Sequence, residues 1–397
     1  MLEPESAAAL SALSPETGPE RSMLHRLLVL SDAAARLPAL LIALILAVAS
    51  AFVGLAWAAR AGEPQGWAAA LLLGGAGALN WGLLAWLPRA GRSFGAPAAP
   101  VLALSGLLAL GGLALTLLLP SWIVLAVWLA SVTLVAVYAT WVEPFRVQVT
   151  YEVLQVQGWA KPLRLAHLGD LHVERLTARE RRVNQLLDEL KPDVIAFSGD
   201  FVNLTYRDDP RAEADVRAVV GAWRAPYGVY AVPGTPRVEP PARVEAFVRD
   251  MPGITLLVNR WQRVNTPAGT LQIAGVTTTH QLAADRAALA ALGSAPAAGL
   301  RLLIAHSPDV APEAAAAGFD LMLCGHTHGG QIVLPLLGPL FSGSAYGRRF
   351  IRGRYLLGRM TLYVTRGLGM EGWGAPRARL LCPPEITVWT ILPSDSS

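Results

Sequence analysis

Cysteine is nearly absent, with Cys324 and Cys382 the only two in 397 residues. That scarcity excludes a disulfide framework and a structural zinc site built from thiolates. Charge is scarce too. Asp, Glu, Lys and Arg make up 16% of the chain, against about 25% in ordinary soluble domains, and the deficit lies almost wholly before residue 143. The formal net charge of +4 is small and dispersed, and no basic run is interleaved with aromatics. Nucleic acid is therefore not an expected partner. Cys324 closes the apolar run Phe319 to Cys324, where a buried inert thiol is the expected reading and metal ligation the alternative.

Length leaves room for roughly two to three domains, and the composition divides them. Residues 1–36 begin with a stretch rich in Ala, Ser, Pro and Glu and read as a mobile cytoplasmic tail. Residues 37–142 hold four apolar stretches, Leu37 to Ala59, Trp67 to Leu87, Ala98 to Leu119 and Trp122 to Val142. Each is long enough to cross a hydrocarbon core of ~30 Å as a helix. Helices buried in a soluble core would show a polar face, and these show almost none. A cleaved signal peptide is the rival for the first stretch, but three more follow it and a long polar tail precedes it. Glycines in the second and third stretches, such as Gly77 and Gly112, offer close helix packing. A transporter is disfavoured, because Asn80 is the only clear amide inside the spans and no charge marks a pathway.

Basic residues near the span ends set the orientation. Arg21, Arg26 and Arg36 precede the first span, Arg89 and Arg92 lie between the second and third, and Arg146, Lys161 and Arg164 follow the fourth. The opposite loops hold Arg60 alone. The positive-inside rule then places both termini in the cytoplasm of a multi-pass membrane protein.

Residues 147–397 change pattern, with charge restored and short β-like runs alternating with amphipathic helices. Strands are expected at Val147 to Val156, Leu163 to Leu168, Val194 to Phe197, Gly228 to Val232, near Thr255 and Leu271, at Leu302 to Ala305 and before His326. Thr177 and Glu180 make a capping box ahead of Val183, Leu186, Leu187 and Leu190, which are spaced for one helix face. Helices are also expected near Ala242 to Arg249 and Ala283 to Leu292, with a short one after Pro308. This is the grammar of a layered α/β domain, with chemistry collected at strand ends.

Four strand ends supply candidate ligands: Asp170 with His172, Asp200, His306, and His326 with His328. His326 and His328 are two residues apart in Gly325-His326-Thr327-His328-Gly329-Gly330-Gln331, so on extended backbone both rings would face one point. Each residue alone has a plain reading, an aspartate as a turn or cap and a histidine as a solvated loop or satisfied core group. His167 and His25 stay in that class. Carboxylates and imidazoles without thiolates suit Mn, Fe or Zn. Two ions sharing one carboxylate, ~3.5–4 Å apart, can polarise a phosphoryl oxygen and activate water near neutral pH.

The order Asp170-x-His172, Gly199-Asp200, His306 and Gly325-His326-x-His328 resembles the calcineurin-like metallophosphoesterases, over roughly residues 160–392. Gly329-Gly330-Gln331, Arg348-Arg349, Arg366-Gly367-Leu368-Gly369 and Cys382-Pro383-Pro384-Glu385-Ile386 are similar to its membrane-associated bacterial branch. The resemblance implies an α/β/β/α sandwich after the four-helix transmembrane region, with two divalent metal ions at one edge of the sheets. It assigns Asp170, His172 and His328 to the first ion, Asp200 to the bridge, and His306 and His326 to the second. The implied reaction is hydrolysis of a phosphoester or pyrophosphate at the bilayer surface, on a phosphorylated and lipid-linked substrate such as UDP-diacylglucosamine.

One motif is missing. Where that family carries Gly-Asn-His-Asp/Glu, this chain reads Gly234-Thr235-Pro236-Arg237. The absent Asn would ligate the second ion and the absent His would serve the leaving oxygen, so the second metal site is expected to be weakened. Thr235 offers only a hydroxyl and Pro236 no side-chain proton, while Arg237 can bind phosphate as a fixed charge. Loss of one acid/base group costs about 10²–10⁴-fold in rate. His280, in Gly275-Val276-Thr277-Thr278-Thr279-His280, is expected to be an exposed loop histidine, with a replacement imidazole as the alternative. Two functions follow: a hydrolase using Asp200, His326 and Arg237, or a catalytically silent metal- or phosphate-binding membrane protein on the same fold.

Overall fold

The computed structural model describes residues 30–251, 253–293, 298–372 and 374–394. Most of the expected tail lies outside the described residues, although residues 30–34 are helical. The described chain divides into two compact units, one of residues 30–143 with 371–378 and one of residues 144–370 with 379–394.

The first unit holds four helices long and apolar enough to cross a membrane, Ala39–Ala61, Glu63–Trp86, Ala98–Leu118 and Trp122–Phe145. The last is α-helical to Val137 and then loosens through a π-helical turn and a 3₁₀ turn. Val53, Trp57, Ala69, Leu73, Leu108, Leu125 and Leu129 pack at its centre. The few polar groups there are satisfied: Trp57 Nε1 donates to the Gly112 carbonyl at 3.0 Å, and Asn80 Nδ2 donates to Thr133 Oγ1 at 2.9 Å. Asn80 thus ties two helices together. A Cβ on Gly111 would lie 2.2 Å from the Trp128 ring, and one on Gly66 would lie 2.6 Å from the Gly54 carbonyl oxygen, the latter a pair the glycine pattern did not single out.

The second unit is built on two mixed six-stranded sheets. The first runs β1 (Gln148–Val156), β14 (Glu385–Pro393), β2 (Leu163–Leu168), β3 (Val194–Phe197), β4 (Val229–Ala231) and β5 (Ile254–Leu256). The second runs β12 (Gly353–Leu357), β13 (Met360–Val364), β9 (Leu321–Cys324), β8 (Leu300–Ala305), β7 (Gly269–Val276) and β6 (Arg260–Thr266). A small hairpin, β10 (Val333–Leu334) with β11 (Gly338–Pro339), stands apart.

Side chains alternating along each strand explain the layers. On β3, Val194 and Ala196 face the other sheet while Ile195 and Phe197 face helices. On β8, Leu302 and Ile304 join that same inter-sheet core while Leu303 and Ala305 pack outward. Helices Ala178–Leu190, Pro210–Val220 and Pro241–Val248 contribute to the core outside the first sheet, and Leu282–Ala291 and Ala311–Ala316 to that outside the second. The result is an α/β/β/α sandwich. Because β3 and β9 are buried on both faces, their sequences read as unbroken apolar runs, whereas β2 and β8 are each interrupted near the start by an arginine, Arg164 and Arg301.

Crossover helices keep β2, β3, β4 and β5 parallel, and likewise β7, β8 and β9. Their carboxyl ends therefore lie on one side of each sheet, and every candidate ligand follows such an end. The capping box holds the first of these helices: Thr177 N–H donates to Glu180 Oε2 at 2.8 Å and Arg179 N–H to Thr177 Oγ1 at 3.2 Å.

Candidate metal centre

Six side chains from four strand ends converge. Asp170, His172 and His328 form one group and Asp200, His306 and His326 a second, each with donor atoms within 4.8 Å of one another. The groups are joined at a single atom. Asp200 Oδ2 lies 3.3 Å from His172 Nε2 and 3.3 Å from His306 Nε2. Within the groups, His172 Nε2 stands 3.0 Å from His328 Nε2, and His326 Nδ1 stands 3.1 Å from His306 Nε2. All but His326 are buried.

The backbone that aims these groups is strained. Asp170, His172, Asp200, His326 and His328 all have positive φ, between 43° and 70°. The left-handed conformation costs a residue with a Cβ roughly 1–2 kcal/mol, and such costs gather where side chains must point against the run of the chain. The expectation that His326 and His328 share one focus on extended backbone is overturned: both are left-handed, and the turn between them sends one ring to each group. Gly325 and Gly234 permit the close approach, since a Cβ on Gly325 would lie 2.6 Å from Asp170 Oδ2 and one on Gly234 would fall on the Asp200 carboxylate.

Hydrogen bonds fix the remaining freedom. His306 Nδ1 donates to the Ser198 carbonyl at 2.9 Å, which fixes the ring and turns Nε2 toward the centre. The His326 N–H donates to the Asp170 carboxylate at 2.9 Å and 3.0 Å. Burial raises Asp170 to a pKa of about 6, with His306 pulling the other way. Burial would depress His306, but the Asp200 and Asp170 carboxylates raise it to about 10. Burial likewise opposes ionisation of Asp200, which His306 and His172 nevertheless hold well below the carboxylate range. His326 and His328 are pushed well below 6.5 by burial, so both are neutral lone-pair donors. Converging carboxylate oxygens and neutral imidazole nitrogens, with no thiolate among them, fit a pair of divalent cations.

Residues 163–234 match the family model for calcineurin-like phosphoesterases. Over those residues the C-terminal domain is similar to the calcineurin-like metallophosphoesterases. Metallophosphoesterase YkuE of Bacillus subtilis (strain 168) is 29% identical over 265 residues, covering 64% of this chain and 88% of its own. Phosphodiesterase YaeI of Escherichia coli (strain K12) is 29% identical over 231 residues, covering 58% and 82%. The solved structure of TT1561 of Thermus thermophilus matches at a TM-score of 0.34 with 13% identity, over 52% of this chain and 90% of that one.

The departure from the metallophosphoesterase pattern sits inside the centre. Thr235 N–H donates to Asp200 Oδ1 at 2.6 Å, and Thr235 Oγ1 stands 3.0 Å from Asp200 Oδ2 and 3.3 Å from His306 Nε2. Arg237 lies two residues on and is exposed. His280 is not the exposed loop residue expected. It is half-buried, with its ring centroid 4.8 Å from that of His326, because the turn after β7 carries it to the same side as the other strand ends.

Glu239 was missed altogether. Its carboxylate accepts the backbone N–H groups of Asp200, Phe201, Val202 and Gly234, at 2.5 to 3.1 Å. It clamps the turn after β3 to the turn after β4. Burial and repulsion from Asp200 raise its pKa to about 8 while the N–H donors oppose them. A lone glutamate after Arg237-Val238 carries no pattern that would have marked it. Cys324 and Cys382 are both buried, and burial raises the Cys324 thiol well above its ordinary range, as an inert packing residue requires.

Proposed function

We propose that this protein is a membrane-anchored, metal-dependent hydrolase of a phosphoester or pyrophosphate bond, acting on a lipid-linked substrate of the UDP-diacylglucosamine kind at the inner leaflet of a bacterial cell membrane. The observation that carries the reading is the position of Asp200 Oδ2, equidistant from His172 and His306 and so suited to lie between two cations. Asp170, His172 and His328 would hold one ion and His306 and His326 the other. When bound, such a pair supplies Lewis acidity at a phosphoryl oxygen and lowers the pKa of water.

The protein's own groups then do the rest. His306, held at Nδ1 by the Ser198 carbonyl, keeps its Nε2 directed inward. Thr235 Oγ1 positions the Asp200 carboxylate and offers one weak oxygen donor where an amide is usual in the family. Arg237 supplies a fixed positive charge for the phosphate. Pro236 has no proton for the leaving oxygen, which favours slow turnover and supports a second reading, a metal- or phosphate-binding membrane protein without catalysis.

One experiment separates them. The full chain with Mn²⁺ is expected to hydrolyse bis(p-nitrophenyl) phosphate, and Asp200→Ala is expected to lose turnover and bound metal together. Unchanged hydrolysis in that variant overturns the site, whereas bound metal without turnover in the parent chain favours the binding protein. The cytoplasmic orientation is tested separately by protease on sealed right-side-out spheroplasts, where digestion of the domain would overturn it.

A further inference from the structure

We infer that the β10–β11 hairpin is a membrane-docking finger that presses the metal centre against a bilayer carrying anionic lipids. Its sequence, Val333-Leu334-Pro335-Leu336-Leu337-Gly338-Pro339-Leu340, has no charged side chain. Leu336 at the tip is fully exposed, Leu337 is 64% exposed and Leu340 46%. A soluble domain with three well-packed cores gains nothing from placing three large apolar side chains together in water. The tip is also held there at a cost. Leu336 has φ +67°, in the left-handed region that a branched side chain avoids, and the turn is closed by Leu337 N–H donating to the Pro335 carbonyl at 2.8 Å.

The hairpin is joined to the centre at both ends. It begins five residues after His328, and on return Leu340 N–H donates to the Ile332 carbonyl at 3.0 Å. Three residues later Gly343 passes so close to His326 that a Cβ there would lie 2.8 Å from Nε2. The finger is thus a rigid extension of the two imidazole-bearing turns, and whatever its tip enters lies beside the metal donors.

Charge complementarity selects the occupant. Residues 331–352 contain Arg348, Arg349 and Arg352 and no carboxylate, whereas Arg354 is paired with Glu152. The Arg348 guanidinium donates to the Leu337 carbonyl at 2.9 Å, placing a cation directly behind the leucines. The Arg352 guanidinium donates to the Leu381 carbonyl at 3.1 Å, and the Leu380 carbonyl pairs with Val333 N–H at 2.9 Å in the same ladder. An apolar tip backed by guanidinium groups is the pattern of an interfacial anchor on anionic lipid. The four spans already tether the domain to the bilayer through a short connection, Phe145 to Gln148.

This inference rests on the membrane reading proposed above but needs no turnover to test. The full chain carrying Leu336→Cys is labelled with an environment-sensitive fluorophore and reconstituted into phosphatidylcholine vesicles with and without phosphatidylglycerol. Cys324 and Cys382 are buried, and the parent chain serves as blank. The label is expected to shift to the blue and to be quenched by doxyl-labelled lipid, more strongly with phosphatidylglycerol. A label at Asp250→Cys, a site exposed on the domain surface, is expected to do neither. Arg348→Gln with Arg352→Gln is expected to remove the phosphatidylglycerol dependence. Water-like emission at position 336 in both vesicles would overturn the inference. So would a blue shift that follows protein density and escapes the lipid quencher, because a second copy of the chain would then cover the tip.

Discussion

The Thr235 hydroxyl stands 3.0 Å from Asp200 Oδ2, touching the one carboxylate oxygen shared by both ligand groups. The loop that lacks the family's amide and imidazole thus still reaches the centre, through a smaller and weaker donor. Thr235→Ala is expected to lower metal content on the Asp200, His306 and His326 side, read as metal per chain falling from two toward one. The double change Thr235→Asn with Pro236→His is expected to raise turnover of an aryl phosphodiester by about 10²-fold or more. Equal metal content in the first variant and equal rate in the second would remove this loop from the chemistry.

Glu239 predicts a loss of a different kind. Replacing it with Leu strips the acceptor from four N–H groups around Asp200, and each buried orphan costs about 1–3 kcal/mol. Glu239→Leu is expected to lower the unfolding temperature of the domain and to release metal, although Glu239 itself is no ligand in this assignment. Retention of both properties would show that the clamp contributes nothing.

His167 gives the domain an acid limit away from the centre. It is fully buried, its Nε2 is 3.2 Å from Ser198 Oγ, and burial depresses its pKa from 6.5 to about 3. The folded-state value lies below the unfolded one, so the stabilisation is complete above pH 6.5 and is lost as pH falls toward about 3. Over that window the group contributes a slope of about 1.4 kcal/mol per pH unit. His167→Gln is expected to flatten the acid limb of the unfolding midpoint against pH. A limb of unchanged steepness would assign acid sensitivity elsewhere.

The parts legible in the sequence are those governed by local rules. β2 and β3 coincide residue for residue with the runs Leu163 to Leu168 and Val194 to Phe197, because largely buried strands are rich in apolar residues and both end at the Gly-Asp turns that follow them. Thr177 and Glu180 form their reciprocal cap for the same reason. What escaped depends on distant partners or on backbone handedness. The pairing of β14 with β1 and β2 joins segments more than two hundred residues apart. The left-handed turns that divide His326 from His328 leave no trace in an HxH spacing, and the acceptor role of Glu239 exists only once two separate turns have met.

The position of β14 also dictates an order of biogenesis. It lies between β1 and β2, parallel to the first and antiparallel to the second, so the first sheet stays split until Glu385 to Pro393 have left the ribosome. The apolar helices are by then long since synthesised and ready for insertion, while β2 and β3, with the aspartates that follow them, must wait beside a gap in the sheet. For the whole interval the edges of β1 and β2 that β14 covers stay unpaired and open to wrong pairing. Deleting residues after Pro384 would accordingly leave the first sheet unclosed between β1 and β2.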